Sequence, residues 1–579
     1  MKRNFVSFPI SNFKGIQQQM LSWASRFDIC CFLDNHNYRL PSHSLECILA
    51  VGARDLLRVN AGGGVPGGGM DGRGADNGRA DAGGREESDS GVAADRRADT
   101  GMAADRRAGP GGTRDCGREE RCGSALDQLQ AFTDKYSGED GDWLFGHFGY
   151  GLARETEPVH WDGRQANRLD AAGGVDRYVE GGVDHPIDER VDRYPAGKAD
   201  PIGFPDLCLF VPEIVIELTL DAIRIGACTG DQGRILEEIL QSSGGAGVAT
   251  AGAAGAASGA EAASGLMPEE VGRAAAASEG AVEEGTGRPA PASWAAPGGA
   301  GPEWTLEPRL TRAEYLRRVR MLQEHILRGD CYEINFCQEF FARPAVIDPL
   351  QTWRRLSRAS PNPFAAFYRL YDSYLLCASP ERYLKRTGNT VISQPIKGTS
   401  PRVYADPVGD QASRDRLYHS AKDRAENVMV VDLVRNDLSK ICLGGSVRVE
   451  ELYGVYSFPH VHQMISTIKG ELLPGMGLTD CIRASFPMGS MTGAPKNRVV
   501  GLIEMYEQAA RGIFSGAVGY ITPEGDFDFN VVIRSILYNS RDRYLSYQVG
   551  SGITYYSDPV AEYEECLWKA QGMKDALGA

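Results

Sequence analysis

Two short stretches in the C-terminal half end apolar runs with residues able to do covalent or acid–base chemistry. Ser379-Pro380-Glu381 follows the apolar run Tyr374–Ala378, and Pro395-Ile396-Lys397-Gly398-Thr399 closes a second apolar alternation. A lysine just before Gly-Thr can be a nucleophile if desolvation lowers its pKa, because only the neutral amine attacks. Gly398 and Thr399 would then offer backbone N–H groups and a hydroxyl to an anion. Taken alone, a solvated lysine at a strand end is the commoner explanation of such a residue.

Carboxylates recur further along. Glu426 lies in Asp423-Arg424-Ala425-Glu426-Asn427, inside an otherwise apolar-faced helical pattern. Glu565 and Lys569 are four apart and share a helix face, a spacing that an ordinary surface ion pair explains equally well. Two carboxylates from separate helices converging on one point would suit Mg²⁺, which keeps few protein ligands and bridges to an anionic substrate. Spacing alone leaves that convergence open. Gly489–Lys496 superficially suggests a phosphate loop, but Ala494-Pro495 separates the second glycine from the lysine, so a nucleoside triphosphatase is rejected. Neither a nucleophile elbow nor a Cys–His signature is present, so no glutaminase is expected within the chain.

The elements that must position these residues divide by composition. Residues 61–125 contain no Leu, Ile, Phe, Tyr or Trp and include the near-repeat GVAADRRADT–GMAADRRAGP. Residues 242–293, inside a linker over 241–304, are nearly all Ala, Gly, Glu, Ser and Pro. Neither stretch can bury enough apolar surface to offset the entropy of ordering, so both are expected to be disordered inserts. A milder polar insert over 163–202 carries VDRY twice. Residues 1–60, 126–162 and 203–240 read as short strands and helices split by these inserts, and 305–579 as one dense block.

Within that block, Thr311 and Glu314 form a capping box for a helix ending near Gly329, and Asp330–Phe341 reads as a strand. A helix over Asp423–Lys440 follows. Phe514–Asp558 reads as β-rich, broken at Pro523-Glu524-Gly525 and at Gly550-Ser551-Gly552, and Asp558-Pro559 opens a last helix through Leu577. Strands and helices do not simply alternate, so the expected class is α+β.

Bulk composition excludes some functions. A formal charge of −15 argues against a broad nucleic-acid or anionic-membrane footprint. The 13 cysteines include no CxxC pair, so reduced thiols in a cytoplasmic protein are expected rather than zinc or disulfides. Neither a signal peptide nor a membrane-spanning segment is expected.

Taken together, the motifs SPERYL, QPIKGTSPR, AKDRAENVMVVDLVRNDLSKIC, FPMGSMTGAPKNR, GAVGYITPEGDFDFNVVIRS and EYEECLWKA resemble, in order, those of the chorismate-utilising enzymes. This family includes component I of anthranilate synthase, component I of aminodeoxychorismate synthase, and the isochorismate and salicylate synthases. The resemblance is strong over 305–579, and DWLFGHFGYGLARE extends it into the N-terminal part. It implies a four-layer αββα fold with the active site between two sheets. It also implies Glu426 and Glu565 as Mg²⁺ ligands holding a chorismate carboxylate, and Glu381 as the acid that protonates the departing C4 hydroxyl. Gly398, Thr399, Arg534, Gly550, Ser551, Gly552 and Lys569 would line the substrate pocket.

In the family, Lys397 within PIKGT resembles the aminodeoxychorismate synthases, whereas anthranilate synthases usually carry Ala there. The implied route is attack of Lys397 on C2, then displacement by ammonia at C4, in a pathway to 4-aminobenzoate and folate. Phe514, where anthranilate synthases usually have Tyr, points the same way. The ammonia would come from a separate glutamine amidotransferase. The alternatives are anthranilate synthase component I and a non-catalytic chorismate-binding homologue, the latter opposed by the intact Glu381, Lys397, Glu426, Glu565 and Lys569. Three residues depart from the family pattern: Glu333 where Gln is frequent, Gln463 where many relatives have His, and Cys566 where Thr is common. Asp34-Asn35 departs from the serine usual in the tryptophan pocket of some relatives, so feedback inhibition is not expected.

Overall fold

The computed structural model describes residues 3–36, 38, 46–60, 123–138, 140–158, 198, 200–228, 230–242 and 304–578. Most of 61–125, 241–304 and the 163–202 insert fall outside these residues; at their edges the expected disorder is corrected, since Ser124 caps the helix Ala125–Lys135 and Ser242 ends the helix Gln232–Gln241.

Two antiparallel sheets carry the structure. Along the first run Asn4–Pro9, Ala222–Ala227, Ile214–Leu218, Cys47–Val51, Ile29–Asp34, Phe364–Leu370, Ser373–Ser379, Ser535–Asn539, Tyr544–Ile553, Glu333–Ala342 and Gly493–Ala494. The second runs Ile396–Pro401, Val461–Glu471, Thr390–Gln394, Arg382–Thr387, Phe527–Asn530, Ala517–Ile521, Leu144–Phe148, Leu207–Val211 and Asp55–Val59. Each sheet takes strands from both the N-terminal pieces and the C-terminal block, so the pieces on either side of the inserts share one core.

Alternation along Ile29–Asp34 shows the layering. Ile29 and Cys31 join an apolar core with Phe145, Leu207 and Phe529 of the second sheet. Cys30 and Phe32 point the other way, into a core shared with the helices Phe13–Ala24, Arg312–Leu327 and Pro349–Ala359. The helix Ala421–Ser439 packs on strands Ile396–Pro401 and Val461–Glu471 of the second sheet, with Leu478–Ser485 beside it. The result is helices, sheet, sheet, helices, the α+β four-layer arrangement.

Several local expectations meet their elements. The capping box at Thr311 forms, with Glu314 N–H donating to its hydroxyl at 3.3 Å, and Gly329 follows the helix with φ +82°. The strand predicted from Asp330 begins at Glu333. Two readings need correction. The last helix breaks at Ala570 into Pro559–Lys569 and Gln571–Leu577. Gly550-Ser551-Gly552 does not end a strand but lies within Tyr544–Ile553, paired to Cys337, Phe336 and Asn335. The glycines are there because side chains crowd against this strand: a Cβ on Gly550 would collide with Cys337 Sγ.

The described cysteines other than Cys228 are free thiols and buried. Among the described residues no helix is long and apolar enough to cross a membrane.

Candidate active site

A cavity of about 220 Å³ opens between the sheets, lined by Glu381, Lys397, Gly398, Thr399, Glu426, Arg534, Gly550, Ser551, Gly552, Glu565 and Lys569. All the residues that the family resemblance nominates are thus brought to one place, from segments nearly 200 positions apart in the chain.

The topology explains the convergence. Ser373–Ser379 and Ser535–Asn539 pair in the first sheet, while Arg382–Thr387 and Phe527–Asn530 pair in the second. Two of the chain's crossings from one sheet to the other therefore fall here, at Pro380-Glu381 and at Val531–Arg534. Val531 N–H donates to Glu381 O at 3.0 Å, which fastens the two crossings together. Glu381 is buried beside this seam, and burial pushes its carboxyl up to about 7 against the weaker pull of Ser490, Lys397 and Arg534. Burial likewise brings the Arg534 guanidinium down to about 10, still charged at neutral pH.

Lys397 sits at the start of the strand Ile396–Pro401, where the register against Val461–Glu471 slips between Ile396 and Thr399. Such a bulge re-aims a side chain. Gly398 supplies the required φ of +86°, and a Cβ there would lie 2.9 Å from Asp423 Cβ. Lys397 Nζ donates to Glu333 Oε1 at 2.5 Å. Burial favours the neutral amine, but the carboxylates of Glu333 and Glu426 outweigh it and hold Lys397 above the ordinary lysine range. The expectation that desolvation lowers this pKa is therefore corrected: without substrate, Lys397 is an ammonium. Glu333, Lys397 and Glu426 all close on Gly552, whose Cβ would stand 2.8 Å from Glu333 Oε1, 3.1 Å from Lys397 Nζ and 3.5 Å from Glu426 Oε2.

The acidic end of the cavity gathers around one ammonium. Lys422 Nζ lies 3.8 Å from Glu426 Oε1, 3.9 Å from Glu565 Oε2 and 3.0 Å from Glu562 Oε1. Glu426 comes from the helix Ala421–Ser439, while Glu562 and Glu565 come from successive turns of Pro559–Lys569. Burial pushes the Glu426 carboxyl up to about 7, and its Oε1 has no hydrogen-bond partner. Glu565 is held below the usual carboxylate range by Lys569, whose Nζ lies 2.8 Å away and also donates to Gly550 O. Among the described residues no three His, Cys, Asp or Glu side chains form a ready metal cage. The donor set nevertheless fits a hard divalent cation: carboxylate oxygens from two helices, one of them unpartnered, already surround a positive charge.

Sequence reasoning missed Glu562 and Lys422, although Glu562 stands one turn before Glu565 on the same helix face. It also missed the partnership of Glu333 with Lys397. Of the family departures, Gln463 lines the cavity with both amide atoms buried and unpartnered, while neighbouring His462 turns away to Ser457 and Asp410. Cys566 stands behind Ser551: Tyr315 Oη contacts Cys566 Sγ at 3.4 Å and Ser551 Oγ at 3.3 Å. Phe514 also lines the cavity. A separate cavity of about 60 Å³ lies at Asp34 and Asn35.

Residues 253–575 match the family model described as chorismate binding enzyme, more than half of the chain. Over 260 residues the chain is 41% identical to aminodeoxychorismate synthase component 1 of Salmonella typhimurium, covering 45% of this chain and 56% of that protein. It is 37% identical over 275 residues to anthranilate synthase component 1 of Streptomyces coelicolor, covering 47% and 53%. The matches span little more than half the length of these curated relatives. Among solved structures, the menaquinone-specific isochorismate synthase of Escherichia coli superposes with a TM-score of 0.57 at 13% identity, over 99% of this chain and 94% of that one, a likeness of fold. The matched region holds every residue of the cavity at the seam of the two sheets, and the chain belongs to the chorismate binding enzymes.

Proposed function

We propose that this chain is an aminodeoxychorismate synthase component I, joining ammonia to C4 of chorismate through a covalent adduct on Lys397. The observation that carries the reading is the placement of Lys397 on a bulged strand, facing the same cavity as the buried acid Glu381 and the cation Arg534. The naming of the Salmonella relative supports the same branch.

Arg534, Lys569 and the backbone at Gly398–Thr399 would bind and orient a doubly anionic substrate. Glu426 and Glu565, with Glu562 beside them, would hold Mg²⁺, which when bound supplies positive charge to a substrate carboxylate. The neutral amine of Lys397 forms a bond to C2, the ring double bonds shift, and the C4–O bond breaks. Glu381 gives its proton to the departing oxygen, releasing water. Ammonia then bonds to C4, the shift reverses, and the C2–N bond breaks to return the free amine of Lys397. Glu381, now a carboxylate, takes a proton from the new C4 ammonium. A carboxyl near neutrality suits both directions of this transfer.

The ammonia donor in this reading is a separate glutamine amidotransferase, an inference supported by the designation component 1 of the relative. The reading places the enzyme in the cytoplasm, on the route to 4-aminobenzoate and folate. The Streptomyces relative keeps anthranilate formation as the second reading. One experiment separates them: pure protein with chorismate, Mg²⁺ and ammonium, the product identified by mass and absorbance. Aminodeoxychorismate is expected, and anthranilate as the main product would overturn the proposal. Glutamine replacing ammonium should give no product without an added amidotransferase.

A further inference from the structure

The amine chemistry proposed for Lys397 needs somewhere for a proton to go. Only the unprotonated nitrogen has a lone pair to give to carbon, and the structure holds that nitrogen as an ammonium. Release to bulk water is obstructed, because the Lys397 side chain is only 10% exposed and lies between the sheets.

We infer that Glu333 is the base that removes the proton from Lys397, a catalytic residue reached through the 2.5 Å contact between Glu333 Oε1 and Lys397 Nζ. The inference rests on the covalent-lysine reading and deepens it. Three observations carry it. The contact is the one ion pair within 4 Å that Lys397 makes among the described residues, so the proton has a defined acceptor. Glu333 Oε2 is buried and has no hydrogen-bond partner among the described residues, so the contact with Lys397 is the one hydrogen bond this carboxylate makes there. Lys397 lines the cavity whereas Glu333 is not among its lining residues, so the base touches the amine without being part of the cavity wall.

The groups facing Lys397 work in opposite senses. Glu426 from the helix Ala421–Ser439 and Glu381 from the sheet crossing favour the ammonium, as Glu333 does. Lys569, Lys422 and Arg534 bring positive charge to the same cavity wall. Filling the cavity removes water from around the pair. In a drier medium a neutral amine beside a neutral carboxyl gains on the separated charges, because ions lose most by desolvation. Substrate entry would thus drive the transfer: one proton moves from Lys397 Nζ to Glu333 Oε1, and the freed electron pair on nitrogen forms the bond to C2. When the adduct is resolved and Lys397 leaves as the amine, Glu333 returns the same proton, so the couple ends as it began.

The signature of an internal acceptor is an adduct rate that does not climb with bulk pH. In the wild type, single-turnover formation of the Lys397 adduct, followed by mass after rapid quench without ammonia, should not accelerate between pH 6 and 8, and should decline above about pH 7 only as Glu381 loses its proton. In Glu333→Gln the proton must leave to solvent. The adduct should then form at least tenfold more slowly at pH 7, with the KM for chorismate within about twofold of wild type. The gap to wild type should narrow as pH rises, because release of the Lys397 proton to solvent offsets the loss of the Glu381 proton. Adduct formation in the wild type that climbs tenfold per pH unit would overturn the assignment even if the variant fails to fold. A Glu333→Gln enzyme as fast as wild type with the same pH profile would also overturn it. Lys397→Ala separates this from the underlying reading. If that variant still makes aminodeoxychorismate at full rate, the covalent route itself fails; if it is inactive while Glu333→Gln is unaltered, the role of Glu333 alone fails.

Discussion

Two buried cation–carboxylate pairs lie close to each other in this protein and differ in how completely their polar atoms are used. Arg511 gives every arm of its guanidinium to a partner. It donates to Glu507 Oε2 at 2.9 Å and Oε1 at 2.6 Å, to Met491 O at 2.7 Å and to Asn335 O at 2.9 Å. Glu507 also accepts from Cys337 N–H at 2.8 Å, and the Tyr150 ring lies 4.6 Å from the guanidinium. Among the described residues Lys397 makes a single hydrogen bond, to Glu333, whose second oxygen accepts none; Oε1 of nearby Glu426 accepts none either, with Lys422 Nζ standing off at 3.8 Å. The first pair ties the strand Glu333–Ala342 to the turn at Gly489–Met491 and so holds one wall of the cavity. The second is an incompletely satisfied charge group facing the cavity itself. Saturated buried charge fixes structure, whereas unsaturated buried charge is held in reserve for a ligand.

Truncation should separate the two most sharply. Arg511→Ala leaves Glu507 buried with a backbone N–H in place of its cation, and should cost about 3–5 kcal/mol of stability. Chemical denaturation measures this, and a loss under about 1 kcal/mol, the size of an average substitution, would erase the distinction. Lys397→Ala should instead cost about 1 kcal/mol, since a single side-chain hydrogen bond is lost there against several at Arg511. Aminodeoxychorismate formation should nevertheless fall at least about a hundredfold, as for loss of an essential reacting group.

Removing one acidic residue around Lys422 should have a smaller effect that responds to metal. Glu426→Gln or Glu565→Gln should raise the Mg²⁺ concentration needed for half-maximal rate by about tenfold or more, with stability little changed. Titrating Mg²⁺ at fixed chorismate tests this, and an unchanged Mg²⁺ requirement in both variants would remove these carboxylates from the metal site. The pH dependence follows from Glu381. Its carboxyl is pushed up to about 7, so the protonated form needed by a general acid predominates below that pH and is lost above it. The value of kcat/KM should therefore decline above about pH 7, by up to tenfold per unit. A flat profile to pH 9 would place the acid elsewhere.

How much of this was legible depends on the range of the interaction. The helix cap at Thr311, the α+β class and the chemical interest of Glu381 and Lys397 rest on neighbours within a few residues, which a sequence displays directly. The bulge at Lys397-Gly398 depends on the partner strand Val461–Glu471, and a local pattern cannot announce a register slip. The Glu333 contact joins residues 64 positions apart, so the sequence presents Glu333 only as a departure from a motif. Gly550-Ser551-Gly552 misleads for a related reason. Two glycines in a row of three read as a turn, and only the crowding of Cys337, Glu333 and Lys397 shows that they keep a strand interior clear. The raised pKa of Lys397 was hidden in the same way: burial is readable from an apolar context, but the carboxylates that reverse its effect arrive from other elements.

The gentlest probe of the contrast is Gln463, whose amide is fully buried at the cavity wall with neither its donor nor its acceptor used. A neutral side chain left in this condition costs stability, and an apolar replacement of similar shape removes the cost. Gln463→Met should therefore raise stability by roughly 1 kcal/mol, the opposite sign to any truncation in the Arg511 group. If the amide waits for a substrate or ammonia hydrogen bond, the same variant should raise the KM for chorismate or ammonia several-fold while the adduct on Lys397 still forms. Thermal unfolding and steady-state kinetics on one preparation decide the matter. A variant that is less stable than wild type, with both KM values unchanged, would mean that Gln463 is part of the packing and that the unsaturated character of the cavity stops at the charged groups.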